Sequence, residues 1–235
     1  MNGGHSSIPF PHTGIGIVSE IVHELESHPW APKLIEGSPV HKHFICQSRY
    51  TPDAAPRITD LINKGDLKAL AEELADIDRP TQYRIQTSQA ADYFLGGVKI
   101  NAMPEYVKLG VNHRVAPHNS IPEVKANVVE RIGSVARRFN LTVKAFEGED
   151  HNPEVFDLQP SYDVDYDGTL VLSSTQVTLN SPISPTSDDV WDLFAGTIQH
   201  SFAFDGGRVI PVGELMTGNT DTRHYLSECA LIFTP

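Results

Sequence analysis

Apolar residues recur every three or four positions in five stretches of the chain, the spacing that places them on one face of an α-helix. The first stretch begins at Thr13, whose hydroxyl can cap a helix, and stops at the Ser-His-Pro of 27–29. The pattern predicts helices over 13–27, 56–63 and 66–76, one from the capping Ser120 that carries Val124, Val128, Ile132 and Val135, and one that carries Val190, Trp191, Phe194, Ile198 and Phe202.

Alternating residues predict β-strands between these helices. The clearest case is 104–115, where every second residue from Val107 to Val115 lies on one face. Strands that alternate with helices predict an α/β fold, an α+β sandwich with a mostly antiparallel sheet and helices on one face. The other predicted strands cover 83–94, 98–100, 141–146 and 169–178.

Two changes in composition divide the chain into segments. Residues 30–57 are rich in Pro, His and Gly and show no stable period, which indicates an insertion that extends over about 30–80. The run Ser-Pro-Ile-Ser-Pro-Thr-Ser at 181–187 interrupts the strand pattern before the last helix. We therefore predict one domain over 1–180, which contains the insertion, and a second segment over 181–235.

Composition excludes several classes of protein. The 235 residues contain 18 Lys and Arg against 30 Asp and Glu, a net charge of −12, whereas nucleic acids and anionic lipids are bound by clustered basic residues. No apolar run approaches the ~20 residues that a membrane span needs. The two cysteines, Cys46 and Cys229, are too few for a disulfide scaffold or a cysteine-rich zinc site. We therefore expect no nucleic-acid partner and no membrane segment in this chain.

The sequence lacks the spacings of common metal sites. It has 11 histidines, but neither His-Glu-x-x-His nor His-x-Asp occurs. His41 and His43 stand two apart in a Pro-flanked segment, a pattern typical of solvated side chains. The acidic run 163–167 imitates the start of a calcium loop, whose last position holds Ser174 where a glutamate is needed. We assign no metal ligand within the chain.

Two polar segments stand where regular apolar strands are expected. The first is GGVKINAMP at 96–104, followed by NHR at 112–114. The second is TGNTDTRHY at 217–225, which follows an apolar run. A β-bulge and an N-capped helix start would account for them, and so would residues of a binding site. The residue types alone leave both explanations open.

A third segment, GGHSSIP at 3–9, completes a set of motifs. With it, the chain resembles the zinc-dependent aminoacylase and carboxypeptidase family, peptidase family M twenty, most closely its Gly-Xaa carboxypeptidase branch. That family has a Gly-His-Ser-Ser segment before a helix, a Gly-x-x-x-Asn-x-x-Pro segment, an Arg that closes the next strand, and Asn-Thr-Asp-x-Arg near the end. All four occur here in that order and span essentially the whole chain.

The resemblance implies a two-domain hydrolase in which a catalytic α/β domain holds two zinc ions and a lid domain pairs with the lid of a second subunit. Residues 1–180 correspond to the dimerisation lid and 181–235 to a remnant of the catalytic domain. The family's zinc ligands lie before the lid and after the last motif, at positions that this chain lacks. The sequence therefore indicates a truncated chain without zinc ligands, or a non-catalytic dimerisation or binding module derived from such an enzyme.

The resemblance also assigns roles to individual residues. His5 would be the lid histidine that donates a hydrogen bond to the reaction's oxyanion in the other subunit's site. Asn101 would contact the substrate, and Arg114 and Arg223 would bind a carboxylate. Asp221 would orient its own loop.

The complete family enzyme would hydrolyse a small peptide or an N-acyl amino acid. Its partner would be a second copy of the chain, joined through the lid. The sequence itself leaves a vacuolar, secretory or cytoplasmic compartment open, and the branch that the chain resembles, which is largely vacuolar or secretory, favours the first two. These properties follow from the resemblance and not from composition or spacing.

Overall fold

The computed structural model describes residues 3–149, 168–218 and 220–225. These residues divide into two compact units, and each unit is built from several separate chain segments. The first unit contains 3–30, 87–115, 119–149 and 168–179. The second contains 31–86, 116–118, 180–218 and 220–225. The assignment of 1–180 to a lid domain and of 181–235 to a catalytic remnant stays a prediction.

Two capped helices pack together in the first unit. Helix α1 (Gly14–Ser27) begins after Thr13, whose Oγ1 accepts a backbone N–H at 3.2 Å, as the sequence predicts. The later helix α6 (Ile121–Arg138) begins with a capping box between Ser120 and Glu123. The core between them is formed by Ile17, Ile21, Leu25, Ile132, Val135 and Phe139.

Three two-stranded sheets complete the first unit. Strands β2 (Ala90–Gly96) and β4 (Val107–Asn112) are antiparallel, and so are the short strands β1 (Gly4–His5) and β3 (Ala102–Met103). Strands β5 (Leu141–Ala145) and β6 (Gly168–Leu172) are parallel. The predicted alternation along β4 is confirmed, because Leu109 and Val111 pack against the α1–α6 core. Leu170 and Leu172 of β6 reach the same core.

The second unit is helical. It comprises α2 (Pro39–Tyr50), α3 (Pro56–Lys64), α4 (Leu67–Ile77), the short α5 (Arg79–Gln82) and α7 (Asp189–Ser201). Helices α3 and α4 occupy the stretches that the sequence predicts, and the Asp66 carboxylate caps α4 at 3.0 Å. Helix α7 follows the predicted apolar pattern but has no buried residue. The core of this unit is formed by Leu34, Val40, Phe44, Ile58, Leu61, Leu70, Ala71, Leu74 and Ile85.

Helix α2 was not predicted from the sequence. It lies within 30–57, where no stable period is visible. The Ser38 hydroxyl accepts a backbone N–H at 3.2 Å and caps the helix, and Pro39 occupies its first turn. Only Val40 and Phe44 are buried, one turn apart. Two buried positions among polar residues are too few for a helical period to be recognised.

Three of the strand predictions are wrong, either in whole or in part. The predicted strand 83–94 begins only at Ala90, because Pro80 starts the short helix α5 and the chain then turns without pairing. The predicted strand 98–100 is a turn, since Gly97 has φ +80°, a left-handed conformation that ends extended structure. The predicted strand 169–178 ends at Leu172.

The mixed α/β class is confirmed. No helix in the described part of the chain is long and apolar enough to cross a membrane. The acidic run 163–167 lies outside the described residues.

Candidate functional site

The motif around His5 and the motif around Asn101 meet in the first unit. We call residues 3–8 and 97–103 the tip. In the β1–β3 pair, Gly4 lies opposite Met103 and His5 lies opposite Ala102.

Further hydrogen bonds extend this pairing beyond the two strands. The Ser6 N–H donates to the Asn101 carbonyl at 3.1 Å, and the Ser6 hydroxyl lies 3.4 Å from the Ile100 carbonyl. Main-chain hydrogen bonds therefore bring together two of the residues that the family resemblance singles out.

Glycines permit this close approach. Gly97 adopts φ +80°, which L-residues with a side chain rarely adopt, and it turns the chain out of β2. A Cβ on Gly3 would lie 2.5 Å from Cγ of Glu105, so a side chain there would require the Glu105 side chain to move. The glycines on both sides of the tip therefore serve the geometry that places His5 beside Asn101.

The hydrogen bonds of His5 determine its tautomer. The Ser7 backbone N–H lies 3.1 Å from His5 Nδ1, and the Ser7 hydroxyl lies 2.7 Å from the same atom. A backbone amide can only donate, so Nδ1 must accept and the neutral ring carries its proton on Nε2. The Ile8 N–H donates to the His5 carbonyl at 3.0 Å and closes the turn. The side chain of His5 is exposed, so Nε2–H can reach a ligand carbonyl oxygen.

Arg114 lies at the other end of the β2–β4 pair. The tip adjoins the end where Gly96 pairs with Val107, whereas Arg114 follows the end where Ala90 pairs with Asn112. The two ends are about 17 Å apart along the strand, at roughly 3.4 Å per residue. The structure therefore does not bring Arg114 beside His5 and Asn101 within one chain.

Ser88 holds the backbone of Arg114. The Arg114 N–H donates to the Ser88 hydroxyl at 3.0 Å, and the Ser88 N–H donates to the Arg114 carbonyl at 3.0 Å. The guanidinium group is exposed. The main chain of this arginine is thus fixed while its side chain is accessible to a ligand.

A partly buried polar relay begins at His113, the residue before Arg114. His113 Nε2 lies 3.1 Å from Gln89 Oε1, and the Gln89 amide donates to the Leu25 carbonyl at the end of α1 at 2.6 Å. Burial lowers the pKa of His113 from its ordinary value, because the protonated ring loses its hydration. The neutral imidazole can donate through Nε2 to Gln89.

Arg223 and Asp221 belong to the second unit. Both lie in a 3₁₀ turn, Asp221–His224, and both are exposed. The Arg223 Nε–H donates to His224 Nε2 at 3.1 Å, so this histidine accepts through Nε2. Asn219 of the same motif lies outside the described residues.

Two residues of this arrangement were missed from the sequence. Ser7 fixes the tautomer of His5, and Ser88 fixes the backbone of Arg114. The signal for Ser7 was its place two residues after His5, from which a short side chain can return to the ring. Ser88 carries no such local signal, because its partner is 26 positions away.

The described residues do not form a zinc site. Among 3–149, 168–218 and 220–225, no group of three or more His, Cys, Asp or Glu side chains could hold a metal ion. His41 Nδ1 accepts the Gly37 N–H at 2.9 Å, whereas His43 Nδ1 lies 3.2 Å from a Glu214 carboxylate oxygen. These two histidines therefore have separate partners.

Comparisons with known proteins connect the whole chain to one group of enzymes. It is 34% identical to an uncharacterised carboxypeptidase of Schizosaccharomyces pombe over 95% of the chain and 35% of the relative. It is 30% identical to carboxypeptidase S of Saccharomyces cerevisiae over 95% of the chain and 38% of the relative. It is 25% identical to an N-fatty-acyl-amino acid synthase/hydrolase of Mus musculus over 96% of the chain and 37% of the relative.

The chain spans little more than a third of the length of the curated relatives it matches. No family model matches it, and no solved structure matches it. The similarity extends over 95% of the chain in both of the yeast relatives named above. This similarity to carboxypeptidase S and its relatives supports the resemblance of the chain to peptidase family M twenty.

Proposed function

We propose that this chain works as part of a hydrolase of peptide or N-acyl amide bonds, of the carboxypeptidase or aminoacylase type. The relatives named as carboxypeptidases and as an N-fatty-acyl-amino acid synthase/hydrolase support this reaction class. The observation that carries the proposal is the Ser7–His5 contact, which makes Nε2–H the outward donor of an exposed imidazole.

His5 contributes to the reaction through charge stabilisation. When an amide carbonyl is attacked, its oxygen becomes an oxyanion, and a donor already in place stabilises it without reorganising. Nε2–H of His5 is such a donor, and Ser7 keeps Nδ1 occupied as an acceptor. The Asn101 amide, on the adjoining turn, contacts the substrate from the same side. Neither residue transfers a proton in this scheme.

The arginines bind the substrate carboxylate. A guanidinium group binds a carboxylate through two parallel hydrogen bonds, which fixes the direction of the substrate. Arg114 and Arg223 are both exposed. Asp221 stands at the start of the 3₁₀ turn that carries Arg223 and orients that loop.

We further propose that the site is completed by a second copy of the chain. Within one chain, His5 and Arg114 lie beyond opposite ends of the β2–β4 pair. A substrate of a few atoms between carboxylate and scissile carbonyl does not bridge a strand of six residues. A homodimer in which His5 of one subunit serves the site of the other removes this difficulty.

Metal ions belong to the chemistry proposed for the whole enzyme. The residues of this chain that the structure describes do not fit a two-zinc site. The zinc ligands are therefore proposed to come from outside the described residues. The vacuolar or secretory compartment also stays a proposal.

The lack of a metal site among the described residues supports a second candidate function, a non-catalytic dimerisation or binding module. Zinc titration of the purified chain by calorimetry tests whether the chain has a metal site of its own. A module without its own metal site binds zinc weakly and hydrolyses neither N-acyl amino acids nor dipeptides. Tight binding of two zinc ions, or hydrolysis that a chelator abolishes, would reject the module.

The sharing of a site between subunits is tested by mixing variants of the active protein that contains this chain. At substrate concentrations well below KM, His5→Ala and Arg223→Ala should each be nearly inactive. In random mixtures, half of the dimers contain one of each, and one of their two sites is intact. About a quarter of the wild-type activity should therefore return.

The matched control mixes either single variant with a His5→Ala/Arg223→Ala double variant, because no dimer in such a mixture has an intact site. Light scattering establishes that dimers form. If mixed dimers form and no activity returns, His5 does not act across the interface.

A further inference from the structure

The turn that joins α6 to β5 carries the one sequence for N-glycosylation in the chain, Asn140-Leu141-Thr142. This modification requires an asparagine and, two residues later, a serine or threonine, with any residue except proline between them. The sequence marks Asn140 as a candidate acceptor. Whether the folded chain has room for a glycan depends on where the two side chains lie.

The Asn140 side chain is not used by the fold. Phe139 caps α6, and Asn140 adopts φ +50°, a left-handed conformation that turns the chain into β5. Its backbone N–H donates to the Arg137 carbonyl at 3.2 Å. Its side chain is partly exposed and has no hydrogen bond or ion pair within the described residues. The backbone of the acceptor is therefore held, while its amide nitrogen Nδ2 is left without a partner there.

Thr142 lies on the outer face of β5. Leu141 and Val143 pack against the core clusters of the first unit. The alternate residues Thr142 and Lys144 are exposed, as the two-residue period of a β-strand requires. A glycan on this turn would therefore extend into solvent without displacing a core side chain.

Each of the two residues has a structural explanation when it is taken alone. Asparagine tolerates the left-handed conformation at the end of a helix, and threonine favours strands. Neither explanation requires the two residues to stand at the spacing of an acceptor sequence. The spacing, the exposed hydroxyl residue and the unused amide together favour a modification site.

We propose that Asn140 accepts an N-linked glycan when the chain enters a secretory compartment. This inference rests on the compartment proposed above. The co-reactant is an oligosaccharide linked to a lipid diphosphate. Nδ2 of Asn140 forms a bond to the anomeric carbon of its first sugar, and the bond from that carbon to the diphosphate breaks. The lipid diphosphate leaves, the amide loses one proton, and no group is oxidised or reduced.

Secretion of the chain from a yeast host, behind a signal peptide that the host removes, tests the acceptor. Mass spectrometry of the mature N-terminus establishes that the chain entered the secretory pathway. We expect a single glycan on each chain. An amidase specific for N-linked glycans should remove it and leave an aspartate in place of Asn140, which mass spectrometry of the peptide detects.

Variants of the acceptor sequence separate this site from any other. Thr142→Ala should abolish the glycan, whereas Thr142→Ser should retain it, because serine restores the hydroxyl. Lys144→Ala is the matched control, since Lys144 is exposed on the same face of β5 but lies outside the acceptor sequence. This control should carry the full glycan. Thermal melting checks that the variants keep their fold.

Two results would overturn the proposal: a secreted chain that has lost its signal peptide but carries no glycan, or a glycan that survives Thr142→Ala. Failure of the subunit-mixing experiment would reject the shared site and leave Asn140 as an acceptor. A glycan on the secreted chain, with an unmodified Asn140 in the protein from its natural cells, would reject the proposed compartment and not the acceptor.

Discussion

The tip and the α1–α6 core of the first unit are held together by different forces. In the core, Ile17 and Ile132 are 2% and 0% exposed, and burial of apolar surface stabilises the packing. In the tip, His5 and Asn101 are exposed, and hydrogen bonds between short strands fix the backbone. The comparison shows that stability and the proposed chemistry reside in separate residues. Substitutions should therefore separate the two.

The largest expected effect on stability is in the core. Ile132→Ala removes a side chain with no exposed surface and leaves a cavity between α1 and α6. We expect a loss of about 2–5 kcal/mol in the free energy of unfolding, measured by denaturant titration. Leu193→Ser on the exposed α7 is the control and should change it little. An unchanged midpoint of unfolding for Ile132→Ala would show that the packing between α1 and α6 does not stabilise the first unit.

Substitution of the proposed site residues should lower activity and leave the free energy of unfolding nearly unchanged. In the active protein that contains this chain, His5→Ala should lower kcat by roughly 10²–10³ with little change in KM, because an oxyanion donor acts mainly in the transition state. Arg223→Ala should instead raise KM, since a carboxylate is held before and during the reaction. Steady-state kinetics and thermal melting check both. A loss of stability in His5→Ala would contradict the separation.

A charged pair at the start of α6 offers a smaller test. Lys125 is buried, and its Nζ lies 3.0 Å from Glu149 Oε2 and 4.9 Å from the centre of the Phe146 ring. The other Glu149 oxygen accepts the Ser174 N–H at 2.7 Å. The hydrogen bond from Ser174, together with Lys125, lowers the pKa of Glu149.

Glu149→Gln should therefore cost about 1–3 kcal/mol of unfolding free energy at neutral pH. A carboxylate with a lowered pKa stabilises the fold above its unfolded pKa, and this contribution is lost as pH falls. The difference between the two proteins should shrink below about pH 4.3. Denaturant titrations at several pH values measure it. A difference that is independent of pH would show that the charge of Glu149 does not contribute to the free energy of unfolding.

The smallest effect concerns the relay that begins at His113. Burial lowers the pKa of His113, so the folded state favours the neutral ring. Stability should be complete above the ordinary histidine pKa of about 6.5 and decline as pH falls below it. His113→Gln, which cannot titrate, should flatten this decline. Equal slopes in the two proteins would show that His113 does not contribute to the pH dependence.

The elements that the sequence predicted well have strong local signals. Helices α1 and α6 have caps at Thr13 and Ser120 and several apolar positions on one face. Helix α2 has a cap but only two buried positions, so it was missed. Local pattern therefore suffices when caps and periodicity agree, and it fails when a helix buries little of its surface.

In the candidate site too, the residues could be predicted from local sequence but their arrangement could not. The motifs singled out His5, Asn101, Arg114 and Arg223, but no spacing predicts that a two-residue strand at 4–5 pairs with another almost a hundred positions later. The separation of Arg114 from His5 also depends on the register of β2 and β4. Neither the tautomer of His5 nor the role of Ser7 could be read before the turn was known.

The central claim is that Ser7 holds His5 as a donor through Nε2. Nitrogen NMR of the histidine rings tests it most directly, with His5→Ala identifying the signals of His5 among the 11 histidines. In the neutral ring, we predict an unprotonated Nδ1 and a protonated Nε2. A protonated Nδ1, or equal amounts of the two tautomers, would contradict the account.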